Sequence, residues 1–269
     1  MKLYGIIGDP VEHSVSPPMH ATAYEATGID ATYSRYRVGE DDVRAAVRGA
    51  DALNIDGLNV TVPHKETVSA LDGVALDETA ERIGAVNTVD FGDEVRGYNT
   101  DASGALRAIE RETDVAGKDV VVVGAGGAGR AVSFALAEEG AAVRIANRTF
   151  GRAETVADEL CGFGEATPHS LDELGDVVPD ADIVVNATTV GMEEDVSPVP
   201  ADALRSHHVV FDVVYTPLET RLLHDADDAG ATTVDGAWML VYQGAEAFEI
   251  WTGRDAPVED MNDALREEI

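Results

Sequence analysis

Residues Asp119–Gly140, DVVVVGAGGAGRAVSFALAEEG, decide the fold. The run Val120–Val123 has no polar alternation, so it reads as a strand covered on both faces within a parallel sheet. Gly124-Ala125-Gly126-Gly127-Ala128-Gly129 follows at once, and an alanine-rich helical pattern runs on to Gly140. In that strand-turn-helix order each glycine of G-x-G-x-x-G has its own task. Gly124 allows the tight turn, Gly126 lets the backbone approach a pyrophosphate, and Gly129 lets the helix pack on the strand. The helix N-terminus adds oriented N–H groups for the phosphates. The motif therefore predicts that Gly124, Gly126 and Gly129 shape a dinucleotide site. A glycine-rich turn used only for packing is the competing reading, and the placement between strand and helix argues against it.

The next strand, Ala142–Ala146, ends in Asn147-Arg148-Thr149, with Arg152 shortly after. An NAD site places a carboxylate there to receive the ribose 2′-hydroxyl, whereas a guanidinium suits a 2′-phosphate. Asn147, Arg148, Thr149 and Arg152 thus point to NADP. The alternative is that both arginines only balance acidic neighbours, and their clustering at this strand end disfavours it. Further strands are expected at Ile183–Asn186, Val209–Val213 and Ala231–Val234. Helices are expected near Arg152–Leu160, Leu171–Leu174, Leu218–Ala229, Met239–Phe248 and Val258–Arg266.

Upstream, a second βα rhythm is visible. Strands are expected at Leu3–Ile7, Thr32–Val38 and Gly57–Val62, with helices at Pro17–Thr27 and Asp41–Ala50. Ser16 is placed to cap the first helix and Gly28 to stop it. Val86–Val89 and Glu94–Tyr98 read as paired strands joined through Phe91-Gly92-Asp93, and Ser103–Arg111 as a helix bridging two halves. No tandem repeat or low-complexity linker interrupts the chain.

The charge is extreme: 51 Asp plus Glu stand against 19 Lys plus Arg in 269 residues, a formal charge of -32. An apolar fraction of 45% makes this an acidic globular protein rather than a disordered one. Nucleic acid and anionic membrane surfaces are poor partners for it. Self-repulsion of this size is relieved by counterions, so a salt-rich cytoplasm is the expected setting, although acidic surfaces also serve simple solubility. The lone Cys161 excludes an internal disulfide and is expected to fill core near a helix end. No N-terminal apolar stretch has signal-peptide length, and no run approaches the ~20 apolar residues of a membrane span. The histidines show no metal-ligand spacing, so no metal site is expected.

Several polar clusters exceed what ordinary strand ends require: His13-Ser14-Val15-Ser16-Pro17, Asn59-Val60-Thr61-Val62-Pro63-His64-Lys65, Gly84-Ala85-Val86-Asn87-Thr88 and Gly97-Tyr98-Asn99-Thr100-Asp101. Hydroxyls, amides, a lysine and an aspartate suit a small polyol or hydroxy acid. A lysine also offers a proton-transfer group, which hydride removal from a carbinol carbon requires. His13 and His64 have no evident carboxylate partner by spacing, and surface or supporting roles are expected for them.

Taken together, GDPVEHSVSP, NVTVPHK, IGAVNTV, GYNTD, GAGGAGR, NRT, NATTVGM, DVVYTP and GAWMLVYQG, in that order from Gly8 to Gly244, resemble the shikimate dehydrogenase family. The resemblance implies an α/β fold with three parts. Residues 1–101 would form a substrate-binding and catalytic domain, 102–236 a Rossmann-type NADP-binding domain, and 237–269 C-terminal helices returning to the first domain. It also implies an interdomain active site and NADP-dependent interconversion of shikimate and 3-dehydroshikimate on the route to chorismate and the aromatic amino acids. By the same resemblance, Ser14 and Ser16 would hold the substrate carboxylate. Thr61, Asn87 and Asp101 would meet the hydroxyl side, and Tyr215 and Gln243 would add contacts. Lys65 would be the catalytic lysine with Asp101 as its partner; Gly126, Gly127, Ala128, Gly129 and Arg130, with Asn147 through Arg152, would contact NADP, and Gly236 and Met239 would lie near the nicotinamide. An acidic residue near Asp77 would match the cofactor region less well. Phe150 and Gly151 depart from the family pattern between the cofactor arginines. A purely electrostatic Lys65, relaxed use of quinate or NAD, and a non-catalytic NADP-responsive module remain competing readings. Monomer and homodimer are both open.

Overall fold

The computed structural model describes residues 1–269, which form two compact units. The first comprises Met1–Thr100 with Val241–Glu268, and the second Asp101–Leu240.

In the first unit the chain runs β1 (Lys2–Gly8), α1 (Ser16–Thr27), β2 (Ala31–Arg37), α2 (Val43–Ala52), β3 (Gly57–Val60), α3 (Lys65–Ser69), β4 (Ala75–Leu76), α4 (Glu78–Ile83), β5 (Thr88–Phe91) and β6 (Val95–Tyr98). The sheet order is β2-β1-β3-β5-β6-β4. β1 pairs in parallel with β2 and β3, and the hairpin β5–β6 is added antiparallel to β3. The core beside α2 gathers Ile7, Val43, Val47, Leu58, Val60, Val68, Val86 and Val89. Aromatic packing builds another part of this unit. Tyr4 stacks on Trp251 at 4.8 Å and on Tyr24 at 5.4 Å, and His20 lies flat on Tyr33 at 4.4 Å. Burial pushes His20 down to about 3, so the ring is neutral in this stack. Gly57 is required where it stands, because a Cβ there would overlap the Trp251 indole.

Ser16 is the first residue of α1 rather than its cap. Val15 occupies the cap position with no side-chain cap bond, and the Ser16 hydroxyl instead accepts from Ser14 Oγ at 3.2 Å. Gly28 does end the helix, in the left-handed region at φ 66°.

The second unit continues with α5 (Thr100–Glu110), β7 (Asp119–Val123), α6 (Gly127–Glu138), β8 (Ala142–Ala146), α7 (Phe150–Glu159), β9 (Ala166–His169), α8 (Leu174–Val177), β10 (Ile183–Asn186), β11 (Val209–Asp212), α9 (Arg221–Asp228) and β12 (Thr232–Val234). The helices α10 (Gly236–Thr252) and α11 (Val258–Arg266) follow, α10 beginning in this unit and ending in the first. The all-parallel order β12-β11-β10-β7-β8-β9 is the doubly wound arrangement, with its switch point between β7 and β10. Buried Val121, Val123, Val184, Val210, Leu174 and Leu222 pack one of its cores. Cys161 does not fill core. Leu160 is fully buried at the end of α7, while Cys161 faces solvent.

Asp212 ties the strand ends of this unit together. It is 0% exposed, and its carboxylate accepts from Asn186 Nδ2 at 2.9 Å, Val214 N at 3.0 Å and Thr220 Oγ1 at 2.7 Å. Asn186 Oδ1 in turn accepts from the N–H and hydroxyl of Thr188, and Thr220 caps α9. Burial raises the Asp212 pKa to about 6 despite these donors.

Because the folded pKa lies above the unfolded value, the stability due to this group is fully present below about pH 4 and is lost as pH rises through 6. Asp212→Asn should therefore gain on the parent protein between pH 4 and 7, by up to about 2–3 kcal/mol. Asp212→Ala should be destabilised throughout, because three buried donors lose their acceptor. Thermal denaturation of the three proteins across this range checks both. A pH-independent gap between the parent and the Asn variant would contradict the account.

Candidate active site

Four loops of the first unit are joined by backbone and amide hydrogen bonds. Val60 N donates to Asn87 O at 2.7 Å and Val86 N to Lys65 O at 2.9 Å. Thr61 N donates to Ile7 O, and Asp9 N to Val62 O. The Asn87 side chain, in a residue 2% exposed, accepts from Thr100 N at 2.8 Å and donates to Thr100 Oγ1 at 3.0 Å. Asn59 Nδ2 donates to Thr88 Oγ1 at 3.0 Å and to Asn87 O at 3.3 Å, while its Oδ1 accepts from the Tyr33 hydroxyl at 2.6 Å. Thr100 Oγ1 donates to Gln243 O at 3.0 Å. Each bond satisfies a polar group that would be costly to bury alone. Together they bring Thr61, Lys65, Asn87 and Gln243 to one cluster.

Lys65 opens α3 and is partly exposed. Asp101 is the second residue of α5, directly after the anchored Thr100. Ser14 and Ser16 stand together at the start of α1, Ser16 nearly fully buried. His64 is buried with Nε2 on Val38 O at 2.7 Å, a supporting contact, and His13 is exposed. Asp77 serves as the N-cap of α4, accepting from Ala80 N at 2.8 Å. The sequence reading missed how Asn59, Tyr33, Thr88 and Thr100 hold this cluster. The available signal was the density of amides and hydroxyls on the short strand segments around Asn59 and Asn87.

The second unit carries the glycine turn. Gly124 sits at φ 116°, and a Cβ there would press on Ala187 O and the Thr188 methyl, just past the end of β10. At Gly129 a Cβ would overlap the Gly124 carbonyl, so the helix can approach only with glycine there. Cβ atoms at Gly126 and Gly127 would meet nothing, and the backbone here is bare. Gly126 occupies the cap position of α6 with no side-chain acceptor. A bare, uncapped helix N-terminus at the switch point fits a pyrophosphate. Asn147 Oδ1 accepts from Ala125 N at 3.3 Å, and its Nδ2 donates to Thr149 O at 2.9 Å, clamping the turn to the end of β8. Phe150 and Gly151 form the first turn of α7, so their departure from the family pattern leaves a regular helix start. Arg148 and Arg152 flank that start, exposed and without a carboxylate partner, which suits a 2′-phosphate. Ala128 lies in the first turn of α6, and Arg130 pairs with Glu159 at 3.2 Å.

Tyr215 follows Val214, whose N–H is held by Asp212, and burial raises its phenol pKa. Gly236 abuts the carbonyls of Val213 and Val214, where a Cβ would not fit, and Met239 stands one helical turn further on.

Family profiles cover most of the chain. Residues 6–89 match the shikimate dehydrogenase substrate binding domain, 106–214 shikimate / quinate 5-dehydrogenase, and 236–266 the shikimate 5′-dehydrogenase C-terminal domain. The shikimate dehydrogenase (NADP(+)) of Natronomonas pharaonis is 58% identical over 269 residues, covering 100% of both chains. A crystal structure of a shikimate dehydrogenase in complex with NADP+ is 42% identical with a TM-score of 0.92, covering 100% of this chain and 96% of that one. The Thermus thermophilus shikimate 5-dehydrogenase, solved with NADP(H) and shikimate, is 38% identical with a TM-score of 0.91 over 100% of both chains. With the polar cluster on one unit and the dinucleotide turn on the other, the chain belongs to the shikimate/quinate dehydrogenase family.

Proposed function

We propose that this chain is an NADP-dependent oxidoreductase of the CH–OH group that reduces 3-dehydroshikimate to shikimate, reversibly, in chorismate and aromatic amino acid biosynthesis. The observation that carries this reading is the joining of the loops bearing Thr61, Lys65 and Asn87 through one buried amide network. Such an array suits a polyol, and one of the joined loops carries a lysine.

In this reading the hydroxyls of Ser14 and Ser16 receive the substrate carboxylate. Thr61, Asn87 and Asp101 bind the ring hydroxyls, with Tyr215 and Gln243 as further contacts. Gly126–Arg130 and Asn147–Arg152 hold the cofactor, and Gly236 and Met239 border the nicotinamide. NADP, when bound, supplies the hydride acceptor for oxidation and, reduced, the donor for reduction. Oxidation of the C3 carbinol releases one hydride and one proton, and neutral Lys65 accepts that proton from the C3 hydroxyl. In reduction the Lys65 ammonium returns it to the developing alkoxide. Asp101 orients the lysine and the hydroxyl. The protein works as a monomer or homodimer in a salt-rich cytoplasm. Its charge of -32 supports that setting, and no helix is long and apolar enough to cross a membrane.

Replacing Lys65 by Ala should lower kcat by about 10²- to 10⁴-fold while KM for shikimate moves only a few-fold. Steady-state rates in both directions check this, and equal losses in kcat and in substrate binding would refute the proton-transfer role. Arg148→Ser and Arg152→Ser should each raise KM for NADP by about tenfold or more and leave KM for NAD nearly unchanged. The ratio of kcat/KM for the two cofactors at fixed salt measures it, and a parallel loss with both would assign the arginines to folding.

A further inference from the structure

Arg35 lies on β2, two residues beyond Tyr33 on the same face of the strand. Its Nε and Nη2 both donate to the Ser14 carbonyl, at 2.8 and 2.5 Å. Three of its five N–H bonds remain uncommitted. In a chain with 51 acidic residues, it pairs with none of them. Its neighbour Arg37 takes Asp9 at 2.8 Å and Glu12 at 4.0 Å.

The hydroxyls beside it form a chain with a fixed direction. Asn59 Nδ2 is bound to Thr88 Oγ1 and Asn87 O, which fixes the amide so that its Oδ1 can only accept. The Tyr33 hydroxyl must then donate to Asn59, and it presents only lone pairs to Ser16. Ser16 therefore donates to the Tyr33 oxygen, and Ser14 Oγ in turn donates to Ser16 Oγ, so one directed chain runs from Ser14 through Ser16 and Tyr33 to Asn59. Burial raises the Tyr33 pKa and keeps the phenol protonated, with Ser16 and Arg35 opposing that rise in part; the guanidinium itself is placed by its two bonds to the Ser14 carbonyl. Hydroxyl protons turn with little cost, so Ser14 and Ser16 can redirect theirs to an incoming anion, and a guanidinium with no carboxylate partner stands at the same helix start.

We propose that Arg35 is a positioning and specificity residue for the substrate carboxylate, clamping the Ser14 backbone and supplying the positive charge the two serines lack. The inference rests on the reading that Ser14 and Ser16 receive that carboxylate. Arg35 touches no reacting atom, so its effect falls on binding and not on the chemical step. Part of the effect is through-space, and the Debye length shrinks from about 10 Å at 0.1 M salt to about 3 Å at 1 M.

Steady-state kinetics of Arg35→Gln and Arg35→Lys test it, run from the lowest salt at which circular dichroism shows folded protein up to molar salt. Arg35→Gln should raise KM for shikimate by about five- to tenfold at the low end, and the deficit should narrow as salt rises. Its kcat and KM for NADP should stay within about twofold. Arg35→Lys keeps the charge and loses the two-pronged clamp, so its KM should lie between the other two. Shikimate methyl ester, which has no carboxylate charge, should bind parent and Arg35→Gln enzymes alike as an alternative substrate or inhibitor. An unchanged KM in an active Arg35→Gln enzyme, or an equal loss for acid and ester, overturns the proposal while leaving the proposed activity intact. A parent enzyme that turns over no shikimate overturns the activity and the proposal with it.

Discussion

The Asn87 side chain is the constraint on which the first unit's functional end depends. One amide holds both the N–H and the hydroxyl of Thr100, and the Asn87 backbone carbonyl receives Val60 N and Asn59 Nδ2. Three chain segments, Asn59–Lys65, Val86–Thr88 and Asn99–Thr100, are thereby fixed against each other through buried polar groups. A buried amide left half-paired costs about 1–3 kcal/mol, so the network is either complete or unfavourable. Its completeness lets Lys65 and Thr61 stand at fixed places on a very short helix and a turn, elements too small to be rigid by themselves.

The second unit reaches comparable rigidity by other means. Close approach of backbone to backbone at Gly124 and Gly129 sets the nucleotide turn, and the Asp212 carboxylate ties β10, β11 and the start of α9 together. A deeply buried acid is a costly way to do this, as its raised pKa shows. A single group that accepts three hydrogen bonds from three segments has few substitutes.

Much of the second unit was legible in the sequence, because parallel strands buried on both faces are continuous apolar runs. Ala142–Ala146 and Ile183–Asn186 fall where their patterns put them. β9, Ala166-Thr-Pro-His, gave no such signal, since an edge strand holding a proline needs neither apolar continuity nor every N–H. α3 and α4 span five and six residues, too few for a helical period to show. Ser16 drew a capping reading because its type and position suit one, yet the chain turns one residue earlier and the hydroxyl goes to Ser14. Arg35 was invisible for a different reason. The partner that gives it meaning is a carbonyl 21 positions away, and no local pattern encodes that contact.

Charge connects these observations. A surface at -32 repels the two anions that this chemistry needs, and the guanidiniums of Arg148 and Arg152, free of carboxylates, stand where one of them would bind. The acidity of the whole and the basicity of the sites are then compatible, because counterions screen the first over distances at which direct contacts in the second still act. The most direct test of the account is the appearance of NADPH absorbance when the purified chain is given shikimate and NADP at high salt, with quinate and NAD substituted in turn. The account predicts rapid NADP reduction with shikimate and much slower rates when either component is replaced. No reduction of NADP by shikimate in a folded preparation would contradict it.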